Sequence, residues 1–380
     1  IRMGMVGGGQ GAFIGGVHRM AARLDDQIEL TAGCFSRDPA NSAQTGAELH
    51  LDPARVYKSY QEMAEKEAKL PPHERIDFVS IVTPNKSHAP VAATFLENGF
   101  HVICDKPMTF SLDEAESLVR LVEQTGLVFV LTHNYTATPL VREARERFLK
   151  GEMGQLRKVL VEYLQDFLMY PHEKEGMKQA VWRVDPAQSG LGGALGDVGT
   201  HSANLLEYVT GERITELCAD TSTFLPDRKL DEDANILIRL SGGGKGVVTV
   251  SQIATGEENA LRFRAFAEKG AFQWDQENPN HMGFARYGEP RETLTRASGY
   301  LSETSGAVTR VPTGHPEGYL EAFATIYRDA ADLIRAHKAG RPVPVADYRV
   351  PTVYDGLRGM QFVAAAVESA AKGSTWVKLA

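Results

Sequence analysis

The sequence predicts an α/β protein in two parts, on two patterns. Its first third alternates short apolar runs with helical segments, as a parallel sheet covered on both faces does. From about Thr136 the apolar runs lengthen and follow one another through turn residues, which reads as a mostly antiparallel sheet. A chain of 380 residues has room for two domains. Its 43% hydrophobic and 24% charged residues are a globular balance, not a disordered or collagen-like one.

The elements follow in order. Met3 to Val6 is a short buried strand running into glycines, and Ile14 to Leu24 is a helix. Ile28 to Phe35 is a second strand. Asp38-Pro39 opens a helix, with the aspartate as cap and the proline where its missing N–H costs nothing. Ser59 to Glu62 and Ser111 to Glu114 each fit the capping box, in which hydroxyl and carboxylate satisfy backbone donors reciprocally. Between them lie strands at Phe78 to Val82 and His101 to Cys104, and a helix from His88 to Asn98 closed by Gly99. Leu127 to Thr132 is the last strand of this part.

Pro139 to Lys150 reads as a connecting helix. Strands follow at Leu156 to Phe167, Ile214 to Phe224, Ala234 to Leu240, Gly246 to Ile253 and Leu261 to Glu268, with a helix from Ala194 to Val209 among them. The polar, Gly- and Thr-rich stretch Glu277 to Pro316 reads as irregular loop. Helices at Tyr319 to Ala336 and Val353 to Ala370 close the chain. The expected domains are residues 1–135 and 136–380.

A net charge of −8 without runs of like charge argues against a nucleic-acid partner. The longest apolar stretches fall far short of the roughly 20 residues of a membrane span, so no membrane partner is expected. Ile1 opens directly into a strand-like segment, so no signal peptide is expected. Cys34, Cys104 and Cys218 are scattered and form no CxxC. They read as reduced thiols of a cytoplasmic protein, with neither a disulfide framework nor a metal site.

The stretch Gly7-Gly8-Gly9-Gln10-Gly11-Ala12-Phe13-Ile14-Gly15 joins the first strand to the first helix. Glycines let the backbone turn sharply and approach a pyrophosphate, while the helix N-terminus supplies free N–H groups and a positive dipole. Gly7 and Gly9 have the fingerprint spacing, but five residues separate Gly9 from Gly15, so the turn is longer than the common one. The bland alternative is a structural glycine turn. Its place at the head of a β-α array favours a Rossmann nucleotide site, to which Gly7, Gly9, Gln10, Gly11, Ala12, Phe13 and Ile14 would contribute. At the end of the second strand, Ser36 stands where an acid would take the ribose 2′-OH, and Arg37 follows. A hydroxyl plus a guanidinium suits a 2′-phosphate, so the cofactor reads as NADP or NAD with a lean to NADP. Asp38 argues the other way, but its place before Pro39 favours capping.

Further along come Val82-Thr83-Pro84-Asn85 with His88, then Cys104-Asp105-Lys106-Pro107, then Gly192-Gly193-Ala194-Leu195-Gly196-Asp197-Val198-Gly199-Thr200-His201. In order and spacing these motifs resemble the Gfo/Idh/MocA oxidoreductases, the family of glucose-fructose oxidoreductase and inositol 2-dehydrogenase. The resemblance spans essentially the whole chain. The departures are the long glycine turn and Asp105, where the family more often has Glu.

The resemblance implies an N-terminal Rossmann domain and a C-terminal α/β domain with a large, mostly antiparallel sheet, whose outer face would form a homodimer or homotetramer. It places Thr83, Pro84, Asn85 and His88 near the ribose and adenine, and Asp105 and Asn134 near the nicotinamide. His88 has a plainer alternative as a capping or surface imidazole. The resemblance also singles out Lys106, Asp197 and His201 as catalytic. Their types suit hydride transfer, in which a base takes the hydroxyl proton as hydride leaves the same carbon. Histidine titrates near working pH. Asp197, four residues before His201, would share its helical face and orient it or bond substrate. The Lys106 ammonium would polarise the reacting oxygen. Alone, a D-x-x-x-H spacing or a lysine after a strand means little.

For substrate, Tyr135, Tyr163, Trp182 and Arg183 are candidates, since aromatics stack on sugar rings and arginine bonds hydroxyls, though Tyr and Trp are more often core residues. The expected activity is hydride exchange between nicotinamide and a secondary alcohol or carbonyl of a sugar, inositol or related polyol. The alternatives are an NAD-dependent glycosidase of the same family and a non-catalytic dinucleotide-binding sensor.

Overall fold

The structure, a computed structural model, describes residues 1–379. The chain divides into two compact units, Ile1–Thr132 with Phe323–Leu357, and His133–Ala322 with the chain from Arg358 on.

The first unit is built on a five-stranded parallel sheet: β1 (Arg2–Gly7), β2 (Glu29–Cys34), β3 (Phe78–Val82), β4 (His101–Cys104) and β5 (Phe129–Leu131), in the order β2-β1-β3-β4-β5. Residues of β3, β4 and β5 are buried throughout, as strands covered on both faces must be. A single parallel bridge from Gly33 to Val56 adds the trace of a further strand outside β2. Counting that bridge, the order is that of the Rossmann sheet. The strand order reverses between β1 and β3, and their carboxyl ends mark the crevice where such sheets bind ligands.

The helices of this unit start where their caps predict. Asp38 accepts a hydrogen bond from the Ala40 N–H at 3.0 Å. Ser59 accepts from Glu62 N–H at 3.1 Å, and Ser111 from Glu114 N–H at 3.3 Å. The glutamates close their boxes one residue early, Glu62 on the Lys58 N–H and Glu114 on the Phe110 N–H, each at 3.0 Å.

The second unit carries a nine-stranded sheet. Its strands are β6 (Leu156–Leu164), β7 (Ile214–Ser222), β8 (Asp233–Leu240), β9 (Lys245–Ser251), β10 (Ala260–Ala267), β11 (Gly270–Asp275), β12 (His281–Arg286), β13 (Glu292–Thr295) and β14 (Val377–Lys378). Their order is β13-β12-β11-β10-β6-β9-β8-β7-β14. Every neighbouring pair is antiparallel except β6 with β9. Along β8 the alternation is regular: Ala234, Ile236, Ile238 and Leu240 are buried, while Asn235, Leu237 and Arg239 face out. The buried face packs with helical residues such as Leu140, Leu205, Leu206, Val209 and Phe362 into one core.

Two expectations are corrected. Glu277 to Pro316 is not all loop, because β12, β13 and a short helix at Glu303–Gly306 lie within it. The apolar signal there is thin but alternates: Met282 and Phe284 are buried, and Phe284 stacks on Phe272 of β11 at 5.1 Å. What remains irregular is gathered around the buried Arg296. It donates to Asn280, to the Val311 and Pro312 carbonyls and, at 2.8 Å, to Glu317.

The division by contacts also differs from one at residue 135, since 323–357 belongs with the first unit. There Tyr327 bonds Ser80 of β3 at 2.7 Å, Lys338 pairs with Asp77, and the Leu131 N–H of β5 donates to the Pro351 carbonyl at 2.9 Å.

Candidate active site

The dinucleotide half begins where β1 ends. Gly7, Gly8 and Gly11 have φ of 89°, 73° and 78°, a region that favours glycine. The Gly9 N–H donates to the Phe35 carbonyl at 3.0 Å, and a Cβ on Gly9 would stand 2.4 Å from Asn41 Oδ1. A Cβ on Gly15 would lie 2.4 Å from the Gly8 Cα. Gly15 therefore takes the third glycine's role of close packing, and the longer turn keeps the geometry of the shorter one. The helix Phe13–Arg23 has no side-chain cap at Ala12, so its first N–H groups suit an anion. Gly11 and Phe13 are exposed, and Ala12 and Ile14 half-exposed, around that opening. Gln10 is held back, its amide bonded to Glu48 at 2.6 Å. An uncapped helix end behind a turn that excludes Cβ atoms fits a dinucleotide.

At the end of β2, Ser36 accepts from the Asp38 N–H at 3.1 Å, and Arg37 is exposed. Asp38 caps its helix as its place before Pro39 suggests. After β3, Thr83 Oγ1 is buried without a partner among the described residues, and Asn85 is buried. His88 is neither a side-chain cap nor a surface imidazole. It is buried, with Nδ1 2.7 Å from the Pro107 carbonyl and Nε2 2.8 Å from the Thr83 carbonyl. The ring thus braces the turn after β3, which carries Pro84, against the loop after β4.

That second loop carries Asp105 and the half-buried Lys106. Asp105 Oδ1 accepts from the Lys106 N–H at 2.9 Å and from the Thr132 hydroxyl at 2.8 Å. His18 Nε2 lies 3.9 Å from the same oxygen, while its Nδ1 meets the Tyr327 hydroxyl at 2.7 Å. Burial pulls the His18 pKa down to about 4.

The second unit gathers the other candidates. Asp231, half-buried and with its carboxyl pushed up by desolvation, accepts from the Gly193 and Leu195 N–H groups at 2.7 Å each. It thereby anchors a π-helical turn at Leu195–Gly199, which passes into the helix Thr200–Thr210. Asp197 sits in the turn and His201 in the first turn of the helix; such π segments recur at functional sites.

Asp197 Oδ2 is shared by Arg183 Nε and Gln252 Nε2, each at 2.9 Å. The His201 Nδ1 lies 3.1 Å from His133 Nδ1. The Tyr135 and Tyr163 rings stand 5.0 and 6.0 Å from His201, and their hydroxyls bond each other at 2.7 Å. Burial pushes both phenols up, so they stay neutral donors. Tyr163 donates to Asn259 at 2.8 Å, and Gln165 to the same oxygen at 2.6 Å. The Arg183 guanidinium lies 4.3 Å over the Trp182 ring. Asn134 is buried, with Nδ2 lacking a partner among the described residues.

Tyr135, Tyr163 and His201 are thus brought together, as are Trp182, Arg183 and Asp197. Sequence reasoning missed His133, Gln165, Asp231, Gln252 and Asn259. Gln165 is two residues beyond Tyr163, and Gln252 and Asn259 flank β9 and β10 next to β6, so strand register brings them to one edge. That register is readable only once the strands are paired.

Two family models match this chain: "Oxidoreductase family, NAD-binding Rossmann fold" over residues 1–133, and "GFO/IDH/MocA C-terminal domain" over residues 141–273. The uncharacterized oxidoreductase YfiI of Bacillus subtilis is 32% identical over 381 residues, covering 100% of this chain and 96% of that protein. The chain belongs to the Gfo/Idh/MocA oxidoreductase family. Among solved structures, an oxidoreductase from Sinorhizobium meliloti is 46% identical, with a TM-score of 0.88, covering 100% of this chain and 99% of that one. An inositol dehydrogenase homolog from Azotobacter vinelandii, complexed with NAD+, is 35% identical, with a TM-score of 0.96 and coverage of 100% and 97%. The same homolog, complexed with NADH and myo-inositol, matches at 34% identity and a TM-score of 0.92, with coverage of 100% and 97%. The family's NAD-binding Rossmann domain is the first unit's parallel sheet. Among the described residues no helix is long and apolar enough to cross a membrane.

Proposed function

We propose that this Gfo/Idh/MocA protein transfers hydride between a nicotinamide dinucleotide and a secondary alcohol or carbonyl of a sugar, inositol or related polyol. The observation that carries this reading is the second unit's cluster, in which a buried histidine is set against two neutral phenols and stands four residues after a carboxylate held by Arg183 and Gln252. A sensor needs no base in such a cluster. The myo-inositol complex of the Azotobacter homolog supports the polyol class.

In this reading the glycine turn and the residues from Gln10 to Ile14 hold the pyrophosphate, with Thr83, Pro84, Asn85, Asp105 and Asn134 along the rest of the cofactor. His88 acts through the loops it braces. The bound nicotinamide supplies the hydride acceptor or donor. His201 takes the hydroxyl proton in oxidation and returns it in reduction. Lys106 polarises the reacting oxygen and stabilises its developing negative charge. Asp197, held in place, accepts a substrate hydroxyl or steadies the charged imidazole. Tyr135, Tyr163, Trp182 and Arg183 shape the polyol site.

Exposed Arg37 beside Ser36 favours a 2′-phosphate, so the cofactor reading leans to NADP, although the Azotobacter homolog was solved with NAD+ and with NADH. The expected assembly is a homodimer or homotetramer formed through the outer face of the nine-stranded sheet.

The test is reduced-nicotinamide absorbance with NAD and NADP over a panel of inositols, aldoses, ketoses and sugar acids, with His201→Ala as control. A signal that vanishes in the variant supports the reading. Wild-type kcat in His201→Ala overturns the base assignment. Silence from protein that binds dinucleotide moves the weight to the glycosidase or sensor.

A further inference from the structure

His133 follows the last residue of β5 by two positions in the chain and immediately precedes the 3-10 turn Asn134–Ala137. Its carbonyl accepts from the Thr136 hydroxyl at 2.8 Å, which fixes the backbone there. Its ring and that of His201 meet edge to face, with centroids 4.9 Å apart and planes at 79°. The residues are 2% and 5% exposed. Their Nδ1 atoms are 3.1 Å apart, so a single proton lies between them and one ring donates while the other accepts.

We propose that His133 is a positioning residue of the reaction, which selects the nitrogen His201 presents to substrate and receives the proton His201 displaces. This rests on the reading of His201 as the base. A catalytic histidine commonly rests on a carbonyl or carboxylate, and a carbonyl only accepts. An imidazole partner both accepts and donates, so the two rings exchange roles.

With His201 Nδ1–H donating to His133 Nδ1, the lone pair of His201 is on Nε2. Oxidation breaks the substrate C–H and O–H bonds. The hydride goes to the nicotinamide and the hydroxyl proton to His201 Nε2. The proton on His201 Nδ1 then crosses to His133 Nδ1, leaving His201 neutral with an Nε2–H and the positive charge on His133. Reduction runs the same steps backwards, and no reactant beyond the nicotinamide is needed.

The neighbouring groups have bonds of their own. Tyr135 and Tyr163 are committed to each other and to Asn259. Asp197, one turn before His201, is engaged by Arg183 and Gln252. The helix Pro139–Leu149, packed against the His201 helix, carries Arg142, Glu143 and Arg145. Glu143 is paired with Arg147, and Arg145 bonds the Tyr208 carbonyl.

The experiment compares His133→Asn, His133→Asp, His133→Ala and His201→Ala in the full chain, with the best substrate of the panel. Dinucleotide binding and melting temperature confirm folding. In His133→Asn, KM is expected to stay within about threefold while kcat falls by roughly tenfold or more, and the acid limb of the kcat/KM–pH profile moves. Added imidazole is expected to restore part of the turnover of His133→Ala. In His133→Asp, which accepts but does not exchange roles, the acid limb is expected to rise. Wild-type kcat and pH profile in a folded His133→Asn and His133→Asp overturn the proposal, whether or not His133→Ala folds. If His201→Ala itself turns over normally, the reading of the base fails first. If His201→Ala is silent while the His133 variants match wild type, this inference alone fails.

Discussion

Gly15 packs on Gly8 so closely that a Cβ at residue 15 would stand 2.4 Å from the Gly8 Cα. The glycine turn and the first helix are thereby locked together at backbone distance, on the crevice side of β1. The Gly8 carbonyl also accepts from Arg19 Nη1 at 2.8 Å, a second tie between turn and helix. Gly15→Ala is expected to force the two apart, at an overpacking cost of about 1–3 kcal/mol. Thermal melting and titration of reduced dinucleotide by fluorescence are the measurements. Both stability and affinity should fall, whereas Gly16→Ala, where a Cβ meets nothing within 4 Å, should change neither.

Cofactor choice is expected to reside at Arg37. Arg37→Ala should lower kcat/KM with NADP by about tenfold or more and leave NAD within about twofold, since only the phosphate needs the guanidinium. Equal loss with both cofactors, or none, would remove the NADP lean.

Arg183 and Gln252 hold Asp197 by one oxygen. Arg183→Met is expected to cost kcat more than KM for the polyol, because it loosens the hold on the carboxylate without removing it. Gln252→Ala is expected to do the same more weakly, having removed a neutral donor. Steady-state kinetics with each variant separate this from a purely substrate-binding Arg183, which would raise KM alone.

His18 and His101 predict an acid-sensitive first unit. Burial lowers the His18 pKa to about 4 and that of His101 to about 3. The His101 Nδ1 accepts the Val128 N–H at 2.9 Å, which requires the lone pair of a neutral ring. An unfolded histidine takes a proton near pH 6.5, so below that pH the unfolded state binds more protons than the folded one. Stability therefore falls as pH drops from about 6.5 toward 4, with each ring adding about 1.4 kcal/mol per pH unit to the slope. Urea unfolding across that range should give a shallower slope in His18→Gln and in His101→Gln than in wild type.

The local features of the fold were legible from residue order. Caps at Asp38, Ser59 and Ser111, the closing Gly99 and the mostly apolar β3 need only neighbours in the chain, and they appear where expected. Of the candidate site, the glycine turn was equally plain, since a strand, glycines and a helix are contiguous. The strands β12 and β13 were hidden because only Met282, Phe284 and Leu294 point inward, among polar residues. His88 was ambiguous because its two carbonyl partners are 5 and 19 residues away and only the folded loops bring them to its ring.

Taken by itself, the sequence determined the two sheet types and the glycine turn between the first strand and the first helix, because periodicity, capping and glycine spacing act over a few residues, whereas the acid–base residues were picked out only through the family resemblance. Tertiary structure alone decided that 323–357 returns to the first unit, that Gly15 replaces the nearer glycine, and that His133 meets His201 across 68 residues of chain. Each of these depends on register and packing between distant segments, and a side chain's partner there is set by which strands pair, not by its neighbours in sequence.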